Sequence, residues 1–132
     1  NIYNPNPWQT QGNGVALADD GDANNFALQA NLIGIQVENL NEDQFRLIGT
    51  YADVATLNSP ELPDNDAFEP LGFFEYTRDD DRFEQVNAYY HLDRLAVYLH
   101  DLGFDDDTGT PNGIRDYTTR ANAHWFADDQ SF

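Results

Sequence analysis

The sequence predicts an α+β fold: a twisted, mostly antiparallel β-sheet with one long buried helix packed across it. Three observations predict it. Two apolar, β-branched stretches, FALQANLIGIQVENL and FRLIGTYADVATL, flank the polar turn NEDQ. Residues 82–102 carry helical periodicity with a start and a stop signal. The last residues, RANAHWFADDQSF, alternate toward an extended segment.

The elements follow in chain order, read as a single domain over 1–132. Residues 1–25 hold Pro, Gly, Asn and Asp throughout, so they form an extended lead-in with little regular structure. Residues 26–78 are assigned to β-strands, the two apolar stretches forming a hairpin across NEDQ. In the second stretch Phe45, Leu47, Gly49 and Tyr51 alternate with Arg46, Ile48 and Thr50, as a strand with one face on a core requires. Three prolines make 58–71 an irregular connection, and GFFEYTR follows as a short strand.

The helix at 82–102 is the clearest element. Asp81 and Glu84 have the spacing of a capping box, Asp79 and Asp80 favour a helix N-terminus, and Gly103 marks the end. Ala88, Leu92, Leu95, Leu99 and Leu102 form one apolar stripe, and Phe83, Val86, Tyr90 and Val97 a second. Two apolar faces predict a helix wedged between layers. Residues 103–119 read as a Gly, Pro and Asn-rich loop and 120–132 as an edge strand.

Charge limits the function classes. The 132 residues hold 18 Asp and 6 Glu against six Arg and no Lys, a net charge of −18. Self-repulsion of this size makes the compact state depend on screening by salt or on bound cations. Nucleic acid is excluded as a partner, because phosphate contacts need basic patches, and an anionic membrane surface is disfavoured for the same reason. Without Cys there is neither a disulfide nor a thiolate metal site. No apolar run reaches the length needed to span a bilayer, about 20 residues. Asn1 in place of an initiator Met suggests a processed N-terminus, and the whole profile fits a secreted, salt-adapted protein.

Few constellations carry chemistry. There is no GxSxG elbow and no Gly-rich phosphate cradle, and Ser59 and Ser131 stand in poor contexts for a nucleophile. His91 and His100 lie nine residues apart, off a common helix face, and no HExxH is present. Two Asp-rich loops offer hard oxygens for calcium: Asp20 and Asp22 with Asn24, and Asp105 and Asp107 beside a Gly-containing turn. The alternative for both is a solvated acidic surface. Tyr89, Tyr90, Tyr98, Trp125 and Phe126 suit core packing better than ligand stacking, since the tyrosines lie within the apolar helix.

Val86, Asn87, Ala88, Tyr89 and Tyr90, followed by Asn122, Ala123, His124 and Trp125, carry a resemblance. This arrangement resembles the N-terminal half of the catalytic domain of thermolysin-like and fungalysin-like zinc metallopeptidases (gluzincins), where V(D/N)AxYY opens a long helix and NAxW lies on an edge strand. The opening YNPNPWQT and the LIGTYADV stretch are also similar to the β-rich lead-in of secreted fungalysin-like enzymes. The resemblance implies that 120–132 rims a cleft and pairs with an extended peptide by strand addition. It implies that Asn122 binds substrate main chain through its side chain, that Ala123 offers its amide and carbonyl, and that Trp125 buttresses the strand. His124 stands where the family more often has an aromatic residue.

In the family the zinc-binding HExxH helix lies beyond NAxW, and this sequence stops first. The expectation is therefore a truncated, secreted zinc metalloendopeptidase, inactive as this chain alone and completed by a C-terminal catalytic half that carries the zinc. Two alternatives stay open: a non-catalytic assembly module, self-associating or partner-bound, and a calcium-stabilised domain.

Overall fold

The computed structural model describes residues 1–4, 26–41, 45–55, 66–104 and 118–123. Their architecture is α+β with one main helix. In chain order the elements are β1 (Ile2–Tyr3), α1 (Phe26–Gln29), β2 (Leu32–Ile33), β3 (Ala52–Asp53), α2 (Arg82–Asp101) and β4 (Thr119–Arg120). β1 pairs antiparallel with β2, with Ile2 opposite Ile33 and Tyr3 opposite Leu32. β3 pairs parallel with β4, with Ala52 opposite Thr119 and Asp53 opposite Arg120. Isolated antiparallel bridges join Leu40 to Gly49, Arg46 to Phe68 and Ile48 to Asp53.

This corrects the single sheet expected from the sequence. The first apolar stretch opens as a helical turn, α1, because Ala27, Leu28 and Gln29 are good helix formers and only Leu28 has to be buried. The Asn31 side chain closes that turn by donating to the Ala27 carbonyl at 2.6 Å. The strand that remains is β2, whose partner is the N-terminal β1. The second stretch folds back on itself at residues 49–52, where the Gly49 amide donates to the Ala52 carbonyl at 2.8 Å and the Val54 amide to the Leu47 carbonyl at 3.1 Å. The expected hairpin survives as one bridge, held by Asn41 N–H to the Ile48 carbonyl and Thr50 N–H to the Asn39 carbonyl. GFFEYTR keeps the alternation of a strand, Phe74 and Tyr76 buried and Phe73 and Glu75 exposed, but joins no ladder among the described residues.

Both ends of α2 carry recognisable signals. At the start the capping box is not made: Asp81 already has helical dihedrals, φ −50° and ψ −30°, and makes no side-chain cap bond. Asp80 does the work instead. Its carboxylate accepts the Arg82 amide at 3.0 Å and, in a two-pronged pair, the Arg82 guanidinium at 2.9 and 2.7 Å. The hydrogen bonds from Arg82 hold the Asp80 carboxyl below its ordinary value. Arg82 also lies 4.3 Å over the Tyr76 ring, and the Tyr76 hydroxyl donates to Glu69 at 2.5 Å. At the end Gly103 takes φ +82°, donating to the His100 carbonyl while Phe104 donates to that of Leu99, the Schellman pattern that only glycine enters without strain.

The core is built on the first three turns of α2. Phe83, Val86 and Tyr89 pack with Ile2, Tyr3, Leu28, Leu47, Ala52, Phe74 and Tyr76. Each large apolar side chain buried there contributes about 2 kcal/mol. The expected wedge between two layers holds only for that half: Leu95, Tyr98 and Leu102 are all more than half exposed. β1 and β3 both pack on α2, and at the far end of the helix the Tyr51 ring meets His100 with centroids 5.0 Å apart.

Tyr3 stands edge-on to Phe83 at 5.0 Å and is buried, and among the described residues its hydroxyl has no hydrogen-bond partner. Burial pushes its ionisation upward, so the hydroxyl stays neutral but still loses its hydration. Tyr3→Phe is expected to stabilise the fold by about 1 kcal/mol, read as a higher midpoint in urea. A lower midpoint would mean that the hydroxyl is satisfied.

Candidate functional site

The site implied by the NAxW resemblance begins where β4 is hung on β3. Thr119 N–H donates to the Tyr51 carbonyl at 2.8 Å and Ala121 N–H to the Asp53 carbonyl at 3.0 Å, while the Thr118 hydroxyl reaches the Thr50 carbonyl at 3.0 Å. Asp53, which no motif singled out, is the anchor. Its carboxylate is buried, accepts the Ala55 amide at 3.1 Å and pairs with the Arg120 guanidinium at 3.3 Å. The pair is half in water on the Arg120 side, so it orients the strand more than it stabilises the fold.

Because Thr119 and Ala121 turn their amides toward β3, strand alternation directs the backbone groups of Arg120 and Asn122 to the opposite edge. Asn122 and Ala123 are half-buried, and the chain enters a turn at Ala123. Trp125 and His124 lie outside the described residues, as do Asp20, Asp22, Asp105 and Asp107. Among the described residues no group of three or more His, Cys, Asp or Glu side chains could hold a metal ion. No described helix is long and apolar enough to cross a membrane.

The helix motif is a set of ties. Val86 is fully buried, and the Asn87 side-chain oxygen accepts the Tyr3 amide at 3.1 Å. The Tyr89 hydroxyl donates to the Glu38 carbonyl at 3.1 Å, and Tyr90 accepts the Asn4 side-chain amide at 3.3 Å. The His91 Nε2 lies 3.2 Å from the Tyr3 carbonyl. Each side chain thus fixes a strand or an extended segment to the helix. Sequence spacing placed Tyr89 in neither apolar stripe, yet it is the largest fully buried side chain.

Core packing was expected of Tyr89, but sequence reasoning missed Asp93, a buried carboxylate one turn farther on. Its two oxygens accept the Asn39 side-chain amide at 2.9 and 3.1 Å, and Asn39 sits at φ +56°, where Asn is among the few residues at ease. Burial raises the Asp93 carboxyl above its ordinary value of 3.8, against the Asn39 hydrogen bond; Glu38 adds to the rise and Arg94 opposes it. The folded form therefore keeps this proton to higher pH than the unfolded chain does. Stability from this group is greatest at low pH, falls as pH rises from the unfolded value through the raised one, and is flat above. Asp93→Asn is expected to remove that slope from the pH profile of unfolding and to melt no lower than the parent at neutral pH. An unchanged slope would assign it to other carboxylates.

No protein-family model, curated protein or solved structure matches this chain.

Proposed function

We propose that this chain is the N-terminal portion of a secreted, salt-adapted zinc metalloendopeptidase, contributing the strand that holds an extended peptide substrate. The zinc and the groups that activate water on it belong to the part of the enzyme encoded beyond NAxW. Asn122 is the residue that fastens substrate main chain, with Ala123 beside it. One observation supports the reading: the helix that carries Val86, Asn87, Ala88, Tyr89 and Tyr90 contacts β3, β3 pairs with β4, and the chain continues from β4 to Asn122 with the Thr119 and Ala121 amides turned toward β3. Calcium at the Asp-rich loops remains part of the proposal.

The test uses the parent polypeptide. It is expected to encode HExxH shortly after Phe132 and to cleave an unstructured protein in a zinc-dependent manner. Asn122→Ala should lower kcat/KM about tenfold, the value of one substrate hydrogen bond, while its melting temperature holds. Absence of HExxH downstream would remove the peptidase reading.

A second reading, a non-catalytic assembly module, is favoured by the exposed row Leu95, Tyr98, Leu102 and Phe104 on and after the far half of α2. Light scattering discriminates: assembly requires a mass well above 15.0 kDa at modest salt.

A further inference from the structure

Residues 34–37 run on from β2 with Ile35 and Val37 packed against the core and Gln36 exposed, the pattern of a strand. Yet among the described residues these four make no backbone hydrogen bond. Neither neighbour supplies partners. A groove of about 370 Å³ separates them from 72–75, where the Asn1 nitrogen already donates to the Phe74 carbonyl at 3.0 Å and the Glu75 amide to the Phe73 carbonyl at 3.0 Å. On the other side a cleft of about 250 Å³ opens against Tyr90, Asp93 and Arg94, whose backbone groups are used within α2. A methyl group at Gly34 would meet no atom within 4 Å, so this part of the segment stands in the open. The backbone of 34–37 therefore pairs with water or with another chain.

Composition says which chain. LIGIQV, residues 32–37, is apolar and rich in β-branched side chains, without proline or charge, and such a stretch at an unpaired edge is a template for another copy of itself. No ionisable side chain occurs from Phe26 to Val37. The two acids bordering the segment stand beside cations, Glu38 4.0 Å from Arg94 and Glu75 near the Asn1 ammonium, so this edge is locally neutral in a chain of net charge −18. Charges farther off are screened over about 8 Å at physiological salt. Leu71 and Phe73, both mostly exposed on the facing segment, add apolar area to a contact made here.

We propose that residues 32–37 form a self-association edge, at which 34–37 of two copies pair antiparallel about a two-fold axis and join their β1–β2 sheets into one. The axis places Gln36 within about two residues of Gln36 of the second copy. The proposal rests on neither reading above, since an enzyme part or an assembly module can form such a dimer.

The experiment is analytical ultracentrifugation of the full chain, of Gln36→Glu, of Gln36→Lys and of the two variants mixed. A dimer of the 15.0 kDa chain is expected, tightening as salt rises because screening relieves the repulsion between two copies of charge −18. Each variant alone should weaken it at least about tenfold, although one adds negative charge and the other offsets it, because a like charge then meets itself across the axis. The equimolar mixture should recover the affinity, opposite charges now meeting. Both variants should melt as the parent does, since Gln36 is exposed. A chain that stays monomeric up to about 1 mM, a dimer that loosens with salt, or one that neither variant weakens would overturn the proposal. So would a loss that mixing does not restore. A dimer lost on Tyr98→Ala but not on Gln36→Lys would overturn it too, and would place the contact on the far half of α2.

Discussion

Gly49→Ala is expected to lower stability by roughly 3 kcal/mol, a fall in melting temperature on the order of 10 °C. The cause is space, not backbone dihedrals. A Cβ at residue 49 would sit closer than 3.0 Å to both the Tyr89 hydroxyl oxygen and the Asn39 carbonyl oxygen. The second is backbone, held by its bond from Thr50 N–H, so it cannot swing aside as a flexible side chain would. Relief requires moving the 39–41 strand or the helix, and either breaks the bridge between Leu40 and Gly49. Thermal unfolding followed by circular dichroism checks it. A variant that melts like the parent would show that this approach is not tight in solution.

Tyr89→Ala is expected to cost more, about 4 kcal/mol, because it empties the largest fully buried side-chain site and removes a hydrogen bond. Tyr89→Phe separates the two contributions. It keeps the ring and loses only the bond to the Glu38 carbonyl, so about 1 kcal/mol is expected. Burial, reinforced by nearby Asp93, raises the Tyr89 hydroxyl far above its ordinary value, so it acts as a donor at all physiological pH. The two sites must also couple. Gly49→Ala should cost less in the Tyr89→Phe background, since one of the two overlapping atoms is gone, while the overlap with Asn39 remains. Strict additivity in chemical denaturation would mean that Tyr89 and Gly49 do not meet.

The helix was legible because its signals are local. Periodicity, acidic residues before it and glycine after it place a helix at 82–102, within a residue of the observed Arg82–Asp101. The start at Arg82 was read correctly, but the carboxylate that bonds there was not, since Asp80 and Asp81 are alike in sequence and only the reach of Arg82 toward Asp80 separates them. The strands were legible as apolar alternation but not as ladders. Ile48 and Asp53 alternate correctly in a continuous strand and equally well in one that reverses at residues 49–52.

Of the candidate site, NA at 122–123 was visible as a motif, whereas its anchor, Asp53, was one acid among 24. Nothing in composition marks the carboxylate that meets Arg120, because the two are 67 residues apart. The same holds for Asp93 and Asn39, 54 residues apart.

By itself, then, the sequence determined the charge and one helix with a stop at Gly103. Those properties depend on composition and on neighbours within a turn or two. Tertiary structure alone decided which half of that helix is buried, which acids lose their water, and which strands pair. Burial and pairing are set by residues distant in the chain, and their cost or gain exists only once those residues meet.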